Sequence, residues 1–204
     1  MPHDAEALQA RKLRLASGLI WFVPLLWTVN MVAARIAPGL ISPHVLALGR
    51  WSLAGLIVGM LSRHELWAQR GYIWQHRGRY IVLGACGMWV CGAWVYLAGQ
   101  TTLGMNISLI YASSPVLIAL GSALWLREPF SKRQALGVAV ALTGVVHVVV
   151  KGEWSQLSQV QWVAGDLWIV AASMAWAAYA LLQKRWATVL SSTAQLAAIC
   201  LGGV

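Results

Sequence analysis

Arg50 interrupts the apolar run VLALGRWSLAGLIVGML (45–61), seven residues after Pro43. At about 1.5 Å per residue this is about 10 Å into a helix starting there. A guanidinium is a permanent charge with five N–H donors. It can lean back along the helix and snorkel toward the headgroups. It can equally turn inward, to meet carbonyls or an anionic group of a solute. Other polar and aromatic groups also stand in apolar surroundings. Trp27 and Asn30 lie three apart, on one helical face, and Trp176, Tyr179 and Gln183 repeat that geometry. Their amide and phenol groups need partners, which either a substrate chamber or a neighbouring helix supplies. Tyr111, Ser113 and Ser114 precede Pro115, which removes the N–H due to the Tyr111 carbonyl. Such a break lines a cavity or is a tolerated kink. Pro24 stands in the same relation to Ile20. Trp94, like Trp27, Trp89 and Trp176, lies deep enough to stack on a flat or apolar solute or to pack as core.

Catalytic pairs are missing from these runs. His44, His64 and His76 fall near run ends or in a charged connection, and no acid accompanies them inside a run. That excludes most acid–base or nucleophilic chemistry within a membrane. Cys86, Cys91 and Cys200 lie in apolar runs and read as packing residues, and no metal or cofactor set is expected. With no Asp or Glu deep in a run, and His147 toward an end, proton coupling through a buried carboxylate is not expected.

The elements that position these residues are membrane spans. The chain of 204 residues is 59% hydrophobic and 10% charged, with a mean hydropathy of +0.66. A soluble domain carries about a quarter charged residues. The fold class is therefore an all-α integral membrane protein. Six runs suit crossing helices, 15–36, 43–62, 80–100, 104–126, 134–151 and 166–184, and a seventh starts near Ser192. The first run is too long for a signal peptide's apolar region and reads as a retained span. Twelve of the fifteen Lys and Arg fall in alternate connections, beginning with Arg11, Lys12 and Arg14 in the tail. This is the positive-inside pattern for a multi-pass protein of the cell (inner) membrane with a cytoplasmic N-terminus. It accounts for the net charge of +9 without nucleic acid, and makes the bilayer and its anionic lipids the partner.

Helix-end signals agree. Ser42–Pro43 predicts an N-cap, Ser131 with Gln134 a capping box, and Asp166 an acid in a first turn. Tryptophans 67, 74, 154, 162 and 186 fall at run edges, as an aromatic belt does. Gly55-x-x-x-Gly59 and glycines 84, 87 and 92 predict close helix approach.

LLWTVNMVAAR in the first run matches MAWAAYALLQK in the sixth, pairing Trp27 with Trp176, Asn30 with Tyr179 and Arg35 with Lys184. Five crossings separate the copies, so the second enters from the opposite side, as in inverted-repeat carriers. Together with SPHVLALGRW, YLAGQTTLGMNISLIYASSPVLIAL, LREPFSKRQALGVAVALTGVV and GDLWIVAASMAWAAYALLQKR, these segments resemble the EamA family of the drug/metabolite transporter superfamily. The most specific passage runs from Pro115 through Glu128 to Gly137, and Arg50 also resembles the family's second-span pattern. Glu128 is expected to form a local charge pair with Arg127 or Lys132.

The resemblance implies two inverted five-helix repeats. Here they would be a tail at 1–14, a first repeat at 15–151, and the start of a second at 165–204. It implies a chain clipped in its second repeat, and a missing C-terminal half or a second copy as partner. It further implies export of small metabolites, such as amino acids, by alternating access. The alternatives are a non-transporting structural or regulatory fragment and a membrane-embedded enzyme. On this reading Trp27, Asn30, Arg50, Trp94, Tyr111, Ser114, Trp176 and Tyr179 line the substrate pathway. A reporter placed between residues 63 and 79 should register the cytoplasm, and one placed between 100 and 103 the opposite side. A 63–79 connection facing outward would overturn this topology.

Overall fold

In hydrocarbon only a segment that satisfies its own backbone groups is tolerated, and every regular element among the described residues is a helix. The computed structural model describes residues 17–19, 21–37, 39–150, 152–155 and 163–203. The helices are α1 (Val23–Ile36), α2 (Pro43–Leu61), α3 (Arg63–Ala68), α4 (Arg70–Gln75), α5 (Arg77–Ala98), α6 (Gly104–Trp125), α7 (Lys132–Val149), α8 (Ala164–Arg185) and α9 (Ser192–Gly203). Four of them, α2, α5, α6 and α8, are long and apolar enough to cross a bilayer. The expected first and fifth spans form helices outside that set. One is 14 residues long and the other opens on Lys132, Arg133 and Gln134. The tail residues Arg11, Lys12 and Arg14, together with Ile20, Lys151, Trp162 and the Arg35 side chain, lie outside the described residues.

α5 is the centre of the bundle. Its second half joins α6 and α8 in one apolar cluster around Tyr96, Ile107 and Ile169, each 1% exposed or less. Its first half joins α8 and α9 in another, around Leu83, Met88 and Ile199. Three of the glycines of α5, Gly84, Gly87 and Gly92, explain how the neighbours come so close. A Cβ at Gly84 would stand 2.3 Å from the Gly203 nitrogen of α9. At Gly87 it would stand 2.7 Å from the Tyr179 ring of α8, and at Gly92 2.7 Å from Nε1 of Trp51 on α2. Between the first and last of these, Ala85–Val90 form a π-helical turn. Such a turn alters the angular register of the residues beyond it. Gly55 packs against Cys200 in the same manner, whereas Gly59 has open space around it, so only half of the expected Gly-x-x-x-Gly pair is a contact.

Polar ties fasten both ends. At one end the Glu65 carboxylate accepts from the Ser191 backbone N–H and hydroxyl, both at 2.6 Å, and these bonds hold its pKa below the usual value. Tyr80 and Thr188 hydroxyls meet at 3.2 Å there. Glu128 pairs with Lys184 at 2.6 Å, correcting the expected pairing with Arg127 or Lys132. Arg127 has φ +55°, and this left-handed residue reverses the chain after α6 and turns Glu128 toward α8. At the other end the hydroxyl of Thr102 donates to Asp166 at 2.5 Å, and Gly165 N–H donates to Thr101 at 2.8 Å. The expected capping box is present: Ser131 N–H donates to Gln134 at 2.8 Å, and Gln134 N–H to Ser131 at 3.2 Å. Ser42 occupies the N-cap with Pro43 next, but its side chain makes no capping bond. Proline's missing N–H leaves fewer donors to cap.

Gly84→Ala should lower the unfolding midpoint in mild detergent, at a cost of about 1–3 kcal/mol from overpacking two backbones. Gly59→Ala, with nothing near it, should leave the midpoint unchanged or raise it slightly.

Candidate functional site

Where α1, α2, α5, α6 and α8 converge, a cavity of about 250 Å³ opens inside the bundle. Its aromatic and polar lining is Trp27, Asn30, Arg50, Trp51, Tyr111 and Trp176, with Gly87, Cys91 and Gly92 of α5 as its floor. Six of the eleven lining residues come from α5 or α2, so the glycine contacts that dock these helices also shape the cavity.

Arg50 turns inward. Its guanidinium donates to the Tyr96 hydroxyl, which donates in turn to Asn30 Oδ1 at 2.8 Å. It also lies 5.5 Å from the Tyr96 ring centroid and 5.8 Å from that of Trp51, within cation–π range. Three helices, α2, α5 and α1, are thereby joined by one chain of polar groups. Among the described residues no carboxylate stands within ion-pair distance of Arg50. A phenol shares its charge, so the guanidinium keeps donors for another acceptor. The Trp51 indole N–H is buried on the same wall with no hydrogen-bond partner among the described residues.

The aromatic half of the wall is continuous. Trp27 meets Tyr111 at 5.2 Å and Trp176 edge-on at 6.1 Å. Trp176 stacks on Tyr179 at 5.2 Å, and Tyr179 accepts from Gln183 at 2.9 Å. The two tryptophans paired by the internal repeat are thus in edge-on contact on the cavity wall. Tyr111 and Cys91 form a buried O–S hydrogen bond of 2.8 Å across α5 and α6.

Three expected pathway residues, Tyr179, Trp94 and Ser114, stand apart from the cavity lining, Tyr179 behind Trp176. Trp94 packs edge-on against Trp168 at 5.1 Å. Ser114 is buried and donates to the Tyr111 carbonyl at 2.6 Å, the acceptor that Pro115 leaves without its N–H. Ser113 likewise donates to Ile110 at 2.6 Å. α6 therefore breaks at Ser113 with its carbonyls satisfied by serine hydroxyls. Pro115 causes that break, Glu128 makes the ion pair to α8, and Gly137 lies in open space on α7. Tyr96 was not among the expected site residues. The signal that flagged Tyr111, a phenol inside an apolar run, applies equally to it.

The EamA-like transporter family matches residues 15–150. The uncharacterized transporter YyaM of Bacillus subtilis is 28% identical over 163 residues, covering 78% of this chain and 53% of that protein. An uncharacterized transporter of Archaeoglobus fulgidus is 26% identical over 169 residues, covering 82% of this chain and 56% of its own length. The chain spans about half the length of these curated relatives. No solved structure gives a significant match.

Tyr96→Phe removes the hydroxyl shared by Arg50 and Asn30, and should cost about 1–3 kcal/mol for polar groups left unpaired. The check is the unfolding midpoint beside Tyr72→Phe, whose hydroxyl has no part in this chain of bonds.

Proposed function

Because the chain belongs to the EamA-like transporter family and is a multi-pass membrane protein, we propose that its central cavity is a substrate chamber for small metabolites carrying a carboxylate, amino acids or their relatives. One observation carries this reading: a guanidinium inside the membrane faces a cavity with no acidic counter-ion among the described residues. An intramembrane arginine is expensive unless it is paired or serves a solute pathway. A substrate carboxylate would complete its hydrogen bonds through the planar fork that suits it. The Trp51 N–H is a second donor beside it, and Trp27, Tyr111 and Trp176 give an apolar face for the rest of the solute.

In this proposal transport is outward and proceeds by alternating access. The half that begins at α8 is the inverted counterpart of the first, and the remaining chamber walls come from further spans or a second copy. The positive-inside pattern supports a location in the cell (inner) membrane with a cytoplasmic N-terminus. The family assignment favours transport over catalysis, and no residue is given an enzymatic role.

Sealed vesicles carrying the protein test the reading by uptake of a labelled amino-acid panel against uncharged analogues. Arg50→Leu should weaken carboxylate-bearing substrates by about tenfold or more in KM, the loss of one charged hydrogen bond, while uncharged analogues change little. Flux unchanged in Arg50→Leu would overturn the role of this residue.

A further inference from the structure

The connection between α2 and α5 contains a seven-residue repeat. Arg63 and Arg70 open the short helices α3 and α4, Arg77 opens α5, and the residues before them, Ser62, Gln69 and His76, share nearly one backbone conformation. Their φ values are −105°, −99° and −105°, with ψ 14°, 15° and 15°. Three residues after each arginine come Leu66, Ile73 and Tyr80, all packed into the cluster around α9. The next position holds Trp67 and Trp74, each 71% exposed.

The exposed side of this repeat is built identically twice. The Arg70 guanidinium lies 4.7 Å over the Trp67 indole and donates to the Trp67 carbonyl at 3.3 Å. The Arg77 guanidinium lies 4.8 Å over the Trp74 indole and donates to the Trp74 carbonyl, also at 3.3 Å. Among the described residues neither arginine has a carboxylate partner, and the nearby Glu65 is engaged by Ser191. A glycine follows Arg70 and Arg77, and a Cβ at Gly71 or Gly78 would touch nothing among the described residues. Two further stacked pairs, Arg79 over Trp186 and Arg185 over Trp125, lie at this same end of the bundle.

We propose that Trp67–Arg70 and Trp74–Arg77 form a twin docking site for the phosphate groups of anionic phospholipids. The site lies between two membrane-crossing helices, at the level where indoles sit among headgroups. Each guanidinium sits over an indole with one nitrogen tied to a carbonyl, which leaves further N–H donors. A planar fork so fixed loses less freedom on closing around a phosphate than a free side chain does. The seven-residue spacing sets two forks on one face, as a layer of headgroups requires. This surface is separate from the cavity and does not depend on the transport reading.

Native mass spectrometry of the full chain in detergent, titrated with phosphatidylglycerol or phosphatidylcholine, tests the site. The native chain should prefer phosphatidylglycerol. Arg70→Gln with Arg77→Gln should weaken that lipid about thirtyfold, from two lost interfacial charges, and remove the preference. Arg63→Gln, which has no stacked indole, should change binding by no more than about fivefold. Arg70→Lys with Arg77→Lys keeps charge without fork or stacking and should fall between native and glutamine variants. That lysine pair decides the matter if the glutamine pair fails to fold. The proposal is overturned if the lysine pair matches the native chain, if the glutamine pair keeps the preference, or if excess inorganic phosphate displaces the lipid.

Discussion

Lipid tails are as apolar as leucine, so helices in a bilayer gain little from hiding apolar surface against one another. What holds them is closeness, and closeness here is set by α5. Gly84, Gly87 and Gly92 admit a backbone, a phenol ring and an indole, each from a different helix. The π-turn between them changes the direction in which successive glycines face, so one helix serves three partners. Trp51 and Tyr179 reach their places through these contacts. Tyr179 in turn backs Trp176, so the cavity walls follow from where α5 lacks side chains.

The polar groups work on a second principle. Polar groups within the apolar helices need partners, and several find them on another helix. Arg50, Tyr96 and Asn30 join α2, α5 and α1, while Cys91 and Tyr111 join α5 and α6. At the bundle ends Thr102 with Asp166 and Glu65 with Ser191 bind the connections to the helices that follow much later. The guanidinium is the exception in kind. It is a full charge whose hydrogen-bond partner is a neutral phenol.

Much of this was legible from the residues. The membrane class, the long apolar helices, the Ser131–Gln134 box and the three α5 glycines follow from composition and spacing. Trp27 and Trp176, singled out in the sequence, are in edge-on contact. The rest depended on distant partners. Whether Arg50 leaned outward or inward turned on Tyr96, 46 positions away. Glu128 ignored its charged neighbours because the left-handed Arg127 swung it to Lys184. Gly59 looked equivalent to Gly55, but only Gly55 has a helix against it. The arginine heptad was visible as charge and overlooked as pattern. A repeat of seven signals a helical face, and hydropathy alone does not display it.

The joint in α6 has a mechanical consequence. Proline ordinarily strands a carbonyl, and in oil a stranded carbonyl ties a rod to water or to a neighbour. Here the Ser114 hydroxyl supplies the missing hydrogen from within the same helix. The two halves, Gly104–Ala112 and Ser114–Trp125, are each self-sufficient. An articulation of this sort can bend under load without wetting its pivot, and the half bearing Tyr111 can tilt the aromatic wall while the half leading to Glu128 stays moored to α8.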